Sequence, residues 1–318
     1  MMDRMMVKEV VAGVILALLM LAAIACQNTA EQSEQAGPEN GEGEQFTEVE
    51  LIKGPVSPDG LQAIFATPDL GIGEQRVAVV LTSEKGLVRS PIATLTSHYY
   101  PAGSAEGEMR DTAVALFRPF PLGTRGLYAA QMQFDAPGEW GLDIAVLDEN
   151  ANTLRAELRF DVPDQTAAPA NGAPATASAS KTLATHSIEE LTTGILQDTD
   201  LYQISIADAV QSGLPTVIVM ASPAFCTNAV CGPQVDVLSE LKDKYKGRAH
   251  FIHVDFFDNP AEIQGDLTRA RVSPTVIEWN LPSTEWSFVV NADGTIHRRF
   301  EGFAPIDELE DALLEVLG

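Results

Sequence analysis

PTVIVMASPAFCTNAVCGP, residues 215–233, joins an apolar run to two cysteines and to the start of a helical pattern. Residues 215–221 are almost all apolar, which is typical of a strand covered on both faces. The segment behind the cysteines carries apolar residues at helical spacing, namely Val235, Leu238, Leu241 and Tyr245. We therefore expect a buried strand, a loop bearing Cys226 and Cys231, and a helix.

The sequence around this stretch predicts further alternation of strands and helices. A helical segment near Ile206–Val210 precedes it, and a strand-like run at His250–Phe256 follows it. Ser287–Asn291 and Thr295–Phe300 flank Ala292-Asp293-Gly294, which is a hairpin signal. Ser273-Pro274 predicts a short capped helix, and the final helix has Pro305 near its start, with apolar residues Ile306, Leu309, Leu313 and Leu317 on one face.

The order strand, cysteines, helix, strand, hairpin, helix resembles the thioredoxin-like superfamily, which keeps two cysteines between its first central strand and the next helix. Cys231-Gly232-Pro233, and Asp293-Gly294 followed by Gly302 and a helix, add to the resemblance. The resemblance implies an α/β thioredoxin-like fold for residues 187–318. It also implies thiol–disulfide exchange without a cofactor, with Cys226 and Cys231 as nucleophile and resolving thiol in either order.

The helix N-terminus gives this cysteine placement its chemistry, because free N–H groups there favour a thiolate. Four residues separate the two cysteines, whereas the superfamily uses two. In a continuous helix their Cα atoms would lie about 8.6 Å apart, beyond the ~4.4–6.8 Å of a disulfide. We therefore expect Cys226 in the loop, a helix starting near Thr227 or Asn228, and a kink at Pro233.

The superfamily places a cis-proline just before the hairpin strand, and here that position falls near Glu285. A carboxylate at this position would change substrate docking and would tend to raise thiol pKa values. Glu285 and Trp286 are therefore candidates for the substrate loop. Trp279 and Trp286 either line a docking groove or belong to the core, and the core is the commoner place for tryptophan pairs.

The N-terminus predicts export. Val10–Ala25 is an uncharged apolar run, short for a membrane span but typical of a signal peptide (residues 1–25). It ends in Ala23-Ile24-Ala25-Cys26, which resembles the lipobox of bacterial lipoproteins and implies lipid on Cys26. The alternative is an uncleaved anchor. Both interpretations place the rest of the chain on the extracytoplasmic face of a cell membrane.

Composition separates the remaining segments. Residues 26–45 are polar and acidic and predict a disordered tether. Residues 164–186 are rich in Ala, Pro, Ser and Thr and predict a linker. The net charge of −25 repels phosphates, so a nucleic-acid partner is excluded.

Residues 46–163 alternate apolar and polar positions in about seven short runs, which predicts an all-β antiparallel sandwich. The predicted strands are Leu61–Ala66, Arg76–Thr82, Ile92–Tyr99, Thr112–Phe117, Tyr128–Phe134, Trp140–Val146 and Leu154–Val162. The run from Gly126 to Trp140 resembles small immunoglobulin-like domains of bacterial surface proteins. His98, Tyr99 and Tyr100 form either a binding patch or a partly buried rim, so we expect a binding or spacer module.

Three functions remain for the two-domain chain. The first is thiol–disulfide exchange with exported proteins or with a redox partner protein. The second is a binding lipoprotein with a structural Cys226–Cys231 disulfide. The third is copper handling by the two cysteines with His250 or His253, although these histidines point to opposite faces of their strand. We expect no metal site in the first two cases.

Overall fold

The computed structural model describes residues 51–84, 86–88, 90–121, 125–195, 197–225 and 230–318. The signal peptide, Cys26 and the acidic tether lie outside these residues, so their predictions stay predictions. Within the described part of the chain, no helix has both the length and the apolar character needed to cross a membrane.

An all-antiparallel sheet forms the N-terminal half, residues 51–163. Its strands are β1 (Leu61–Phe65), β2 (Gly73–Ser83), β3 (Gly86–Leu87), β4 (Ile92–Tyr100), β5 (Glu108–Pro119), β6 (Gly126–Phe134), β7 (Gly138–Leu147) and β8 (Thr153–Val162). The strand order is β1-β2-β6-β5-β4-β7-β8, with β3 paired to β2. Every strand predicted from alternation is present, and β1, β7 and β8 bury alternate side chains in a common core.

The predicted sandwich of two separate sheets is corrected to one sheet wrapped around its core. The long strand β5 pairs with β4 along Glu108–Leu116 and with β6 along Leu116–Pro119, so it belongs to both sides of the fold. The first and last strands, β1 and β8, also contact each other. Trp140, Tyr128 and Phe134 lie fully buried inside the wrapped sheet.

A second, four-stranded sheet forms the C-terminal half, residues 187–318. Its strands are β9 (Thr216–Met220), β10 (His250–Val254), β11 (Trp286–Val290) and β12 (Ile296–Glu301), in the order β10-β9-β11-β12. β9 and β10 are parallel, and β11 is antiparallel to both β9 and β12. The predicted order of strand, helix, strand, hairpin and helix is confirmed.

Helices cover both faces of this second sheet. They are α1 (Ile188–Leu191), α2 (Ile206–Ala209), α3 (Cys231–Tyr245), α4 (Pro260–Ile263), α5 (Pro274–Glu278) and α6 (Ile306–Leu317), with 3₁₀ turns at Thr199–Tyr202 and Leu267–Arg269. Val217 and Val219 of β9 face the core shared with α3 and α6. Ile218 and Met220 face the other core, with Trp279 and Trp286. The continuous apolar run of β9 is thus explained by burial on both faces.

The segment predicted as a linker, residues 164–186, connects the halves and packs against the second sheet. The backbone N–H groups of Gly172 and Ala175 donate to Ile296 and Gly294 beside β12, at 2.7 and 2.8 Å. Ser178 and Ser180 are buried against the second sheet. Small side chains allow this close packing, which composition alone does not predict.

The described residues from 51 to 318 belong to one compact unit. The structure therefore does not separate the two predicted domains, and both halves belong to a single body.

Candidate functional site

Cys231 is the first residue of α3 and is 1% exposed and disulfide-bonded. Among the three cysteines of the sequence it is the one that the structure describes, so its partner lies outside the described residues. Cys226 falls in the undescribed range 226–229, as do Thr227 and Asn228. The pairing of Cys226 with Cys231 therefore stays a prediction.

The start of α3 corrects two expectations, the position of the first helical residue and a kink at Pro233. The helix begins at Cys231 with Val230 before it, and not at Thr227 or Asn228. Pro233 then lies in the first turn, where a backbone N–H has no partner within the helix, so no hydrogen bond is lost. The N–H of Gln234 makes the first helical bond, to Val230 at 2.8 Å. Cys231 is thus closer to the helix N-terminus than predicted.

A buried acidic residue supports the loop that leads to the cysteines. The backbone N–H and the hydroxyl of Thr193 both donate to Oδ2 of Asp255 at 2.7 Å. The Thr193 hydroxyl also accepts from the Ala224 N–H at 3.2 Å and lies 3.0 Å from the Ser222 hydroxyl. Burial raises the pKa of Asp255 to about 6, against the opposing effect of these hydrogen bonds.

Sequence reasoning missed this Asp255–Thr193–Ser222 group. Asp255 directly follows β10 at the sheet edge where β9 leads into the cysteine loop, and β9 and β10 are parallel. The sequence did contain one indication of this group, because an acidic residue at the carboxyl end of a parallel strand is typical of a functional site. The sequence around Thr193 did not indicate its role, because Thr193 reaches Asp255 from a loop 62 positions away.

The two histidines considered for copper are accounted for by other contacts. His253 is buried, and its Nδ1 lies 2.6 Å from the hydroxyl of Tyr202 while its Nε2 lies 3.0 Å from the carbonyl of Ala221. Both ring nitrogens are therefore occupied, and burial lowers the pKa of His253 to about 4. His250 lies at the opposite end of β10, where it contacts Ser212. Within the described residues, no cluster of three or more His, Cys, Asp or Glu side chains could hold a metal ion.

Glu285 lies directly before β11 and is buried. Trp286 pairs with Met220 of β9, so Glu285 is one position beyond the end of that pairing, toward the cysteine loop. Trp286 and Trp279 are fully buried and pack with Phe288, which agrees with the core interpretation and leaves neither ring exposed to a substrate.

A cavity of about 100 Å³ opens beside the buried polar groups. Tyr202, His253 and Asp255 line it from one side, and Lys181 and Ser273 from another. Lys181 is held by Asp258, with Nζ 2.7 Å from Oδ1. The cavity has room for water beside Asp255.

Comparisons with known proteins give a partial match. No family model matches the chain, and no curated protein matches it. A thiol:disulfide interchange protein of the thioredoxin family from Chlorobium tepidum TLS is 12% identical, with a TM-score of 0.29 over 35% of this chain and 85% of that one. A second structure from Chlorobium tepidum, described as a thiol:disulfide interchange protein DsbE, is 17% identical, with a TM-score of 0.29 over 36% of this chain and 86% of that one. These thioredoxin-like neighbours cover only part of the chain.

Proposed function

We propose that this chain is an exported, lipid-anchored protein that exchanges disulfides through Cys226 and Cys231. The observation that carries the proposal is the disulfide-bonded Cys231 at the first residue of the helix that follows the central strand β9. Free N–H groups at this helix N-terminus stabilise a thiolate leaving group when the disulfide opens.

The exchange proceeds in two displacements. A substrate thiolate attacks one sulfur of the Cys226–Cys231 disulfide, forms a mixed disulfide and releases the other cysteine as a thiolate. A second substrate thiolate then displaces the remaining cysteine. Two electrons pass to the protein, the substrate leaves as a disulfide, and the reverse sequence oxidises the protein again. The substrates are thiols of exported proteins or of a redox partner protein.

Asp255 is a candidate proton acceptor for this chemistry. Its carboxylate is connected through Thr193 to the loop that ends at the cysteines. Its raised pKa of about 6 lets it take up and release a proton near neutral pH.

The test is the reduction potential of the chain from residue 27 onward, in which only Cys226 and Cys231 remain. Equilibration against a glutathione series, with thiols counted by mass spectrometry, should give a potential well above about −300 mV. A Cys226→Ser variant should leave Cys231 as a free thiol. A potential below that value, with no exchange against a model disulfide, contradicts the proposal.

One observation favours a second function, a structural disulfide in a binding lipoprotein. Cys231 is 1% exposed, and buried disulfides resist reduction. The same measurement separates the two functions. The copper function is not supported, because both nitrogens of His253 are occupied and His250 lies at the far end of its strand.

The anchor has its own test. Ala23-Ile24-Ala25-Cys26 supports lipid attachment at Cys26 on the extracytoplasmic face of the cell membrane. Cells expressing the full chain should hold it in the membrane fraction, and Cys26→Ser should stop labelling by a radioactive fatty acid. Labelling that persists in the variant contradicts lipid at this residue.

A further inference from the structure

Two loops of the C-terminal half are joined to each other, and the second of them contacts the first turn of α3, which carries Cys231. The first is residues 282–285, leading into β11, and the second is residues 302–304, following β12. The Gly302 N–H donates to the Glu285 carbonyl at 2.9 Å and joins them. The Ala304 N–H donates to Oε1 of Gln234, three residues after Cys231, at 2.8 Å. The conformation of the two loops is therefore tied to the turn that carries the disulfide.

Arg76 of β2, in the N-terminal half, holds the second loop. Its guanidinium donates to the carbonyls of Glu301 and Phe303 at 3.1 and 2.9 Å, and to both carboxylate oxygens of Glu308. Phe120 of the same half packs edge-on against Phe303, with ring centroids 5.7 Å apart. Arg76 is 7% exposed, so these acceptors replace water around a buried charge.

The first loop is held through Glu301. The Ser283 hydroxyl donates to one carboxylate oxygen of Glu301 at 2.8 Å, and the backbone N–H of Asp69 donates to the other at 2.9 Å. Asp69 in turn accepts from Arg299 at 2.7 Å, and both of their side chains are 6% exposed. A buried chain of contacts thus runs from the N-terminal half to Ser283.

Another contact between the halves lies away from these loops. Arg298 pairs with Glu74 at 2.7 Å, with side chains 28% and 55% exposed. This pair joins the same two strands, β12 and β2, that Arg76 and Glu301 join. It provides a matched control, because it bridges the halves without touching residues 282–285 or 302–304.

We propose that the N-terminal half contributes to the exchange site by positioning the two loops. Arg76 positions the second loop through its hydrogen bond to Phe303, and Glu301 positions the first loop through its hydrogen bond to Ser283. Together these residues determine which thiols reach the disulfide.

The contact between Ala304 and Gln234 links the second loop to the turn that carries Cys231. A polypeptide contacts more of the surface around a disulfide than a small thiol does, so its reaction depends more on the positions of these loops. The substrate class is therefore a polypeptide dithiol. This inference rests on the proposed exchange function.

The test compares two reductants on the chain from residue 27 onward. Reduction of the disulfide is timed with dithiothreitol and with reduced, unfolded ribonuclease, which serves as the polypeptide dithiol. In Arg76→Met the ratio of the polypeptide rate to the dithiothreitol rate should fall about tenfold or more. Ser283→Ala, which removes one hydroxyl at a partly exposed position, should lower the same ratio in a protein that still folds. Arg298→Met should leave the ratio unchanged.

Amide hydrogen exchange provides a readout that needs no exchange activity. Gly302 and Ala304 should exchange faster in Arg76→Met, and Ser283→Ala should loosen residues 283–285, while Arg298→Met leaves both loops protected. An unchanged rate ratio together with unchanged loop protection overturns the inference. If the wild-type protein reduces with neither reagent, the exchange function fails, and the amide measurement still decides whether the N-terminal half holds the loops.

Discussion

His253 lies beside the loop that leads to the cysteines, and its surroundings keep it uncharged. It accepts from the hydroxyl of Tyr202 at Nδ1 and donates to the carbonyl of Ala221 from Nε2. Burial lowers its pKa from 6.5 to about 4. Protonation would place an unpaired charge in the core, so this residue ties stability to pH.

The folded state binds fewer protons than the unfolded state between pH 6.5 and about 4. The contribution of His253 to stability is therefore complete above pH 6.5 and is lost as the pH falls to about 4, a change of about 3 kcal/mol. His253→Gln should flatten this part of the pH profile in urea unfolding. His297→Gln, at an exposed ion pair, is the control. Parallel profiles for His253→Gln and the wild-type protein would show that His253 does not titrate in this range.

At the scale of the element, the wrapped sheet depends on a close backbone approach where its two ends meet. A Cβ atom added at Gly54 would lie 1.9 Å from the carbonyl oxygen of Glu157, in β8. Position 54 therefore requires glycine, because there is no space for a side chain. The nearest atom to a Cβ at Gly232 is 3.8 Å away, which is an ordinary contact.

Gly54→Ala should therefore push the segment before β1 away from β8. We expect a loss of about 2 kcal/mol in the free energy of unfolding, because backbone atoms have no rotamer through which to move aside. Gly232→Ala, the control, should change the free energy by less than about 1 kcal/mol. Urea unfolding measures both, and equal values for the two variants would contradict the steric explanation.

Elements were also the scale at which the sequence was most informative. Alternation predicted the seven main strands of the N-terminal half, and β9, α3 and the hairpin were predicted from apolar runs and turn residues. The pairing of β5 with both β4 and β6 was not predicted, because alternation does not show which strands pair. The start of α3 was predicted near Thr227 or Asn228 from their capping preference, and the structure begins the helix at Cys231.

The candidate site was predicted only where it is local in sequence. Cys231 and Glu285 follow from their neighbours along the chain. Thr193 reaches Asp255 across 62 positions, and Arg76 reaches Glu308 across 232. In the sequence, Arg76 and Asp69 look like ordinary surface charges of an alternating strand and its turn. Contacts of this range depend on tertiary structure, which local patterns do not contain.

At the scale of the whole molecule, buried charges join the two halves. Arg76 pairs with Glu308, and Arg299 pairs with Asp69, all with side chains at most 15% exposed. Glu301 adds a buried carboxyl whose pKa burial raises to about 7. Each of these pairs takes its cation from one half and its carboxylate from the other, so the buried pairs exist only when both halves are folded together.

We therefore expect the unit from residue 51 to 318 to unfold in one transition. Differential scanning calorimetry should give equal calorimetric and van't Hoff enthalpies. Arg299→Met should lower the midpoint of the whole transition, because it leaves Asp69 buried without its cation. Two resolved transitions, with only one shifted by the substitution, would mean that the halves are independent.

The pairing of Arg76 with Glu308 also fixes an order of events during synthesis. A ribosome makes the N-terminal half first, and its buried cation receives its carboxylate only when α6, the last helix, has been completed. A chain cut short before α6 would lack Glu308, so the guanidinium of Arg76 would lose its carboxylate partner. Chains truncated before α6 should therefore be less stable and more readily degraded by proteases than chains that contain it.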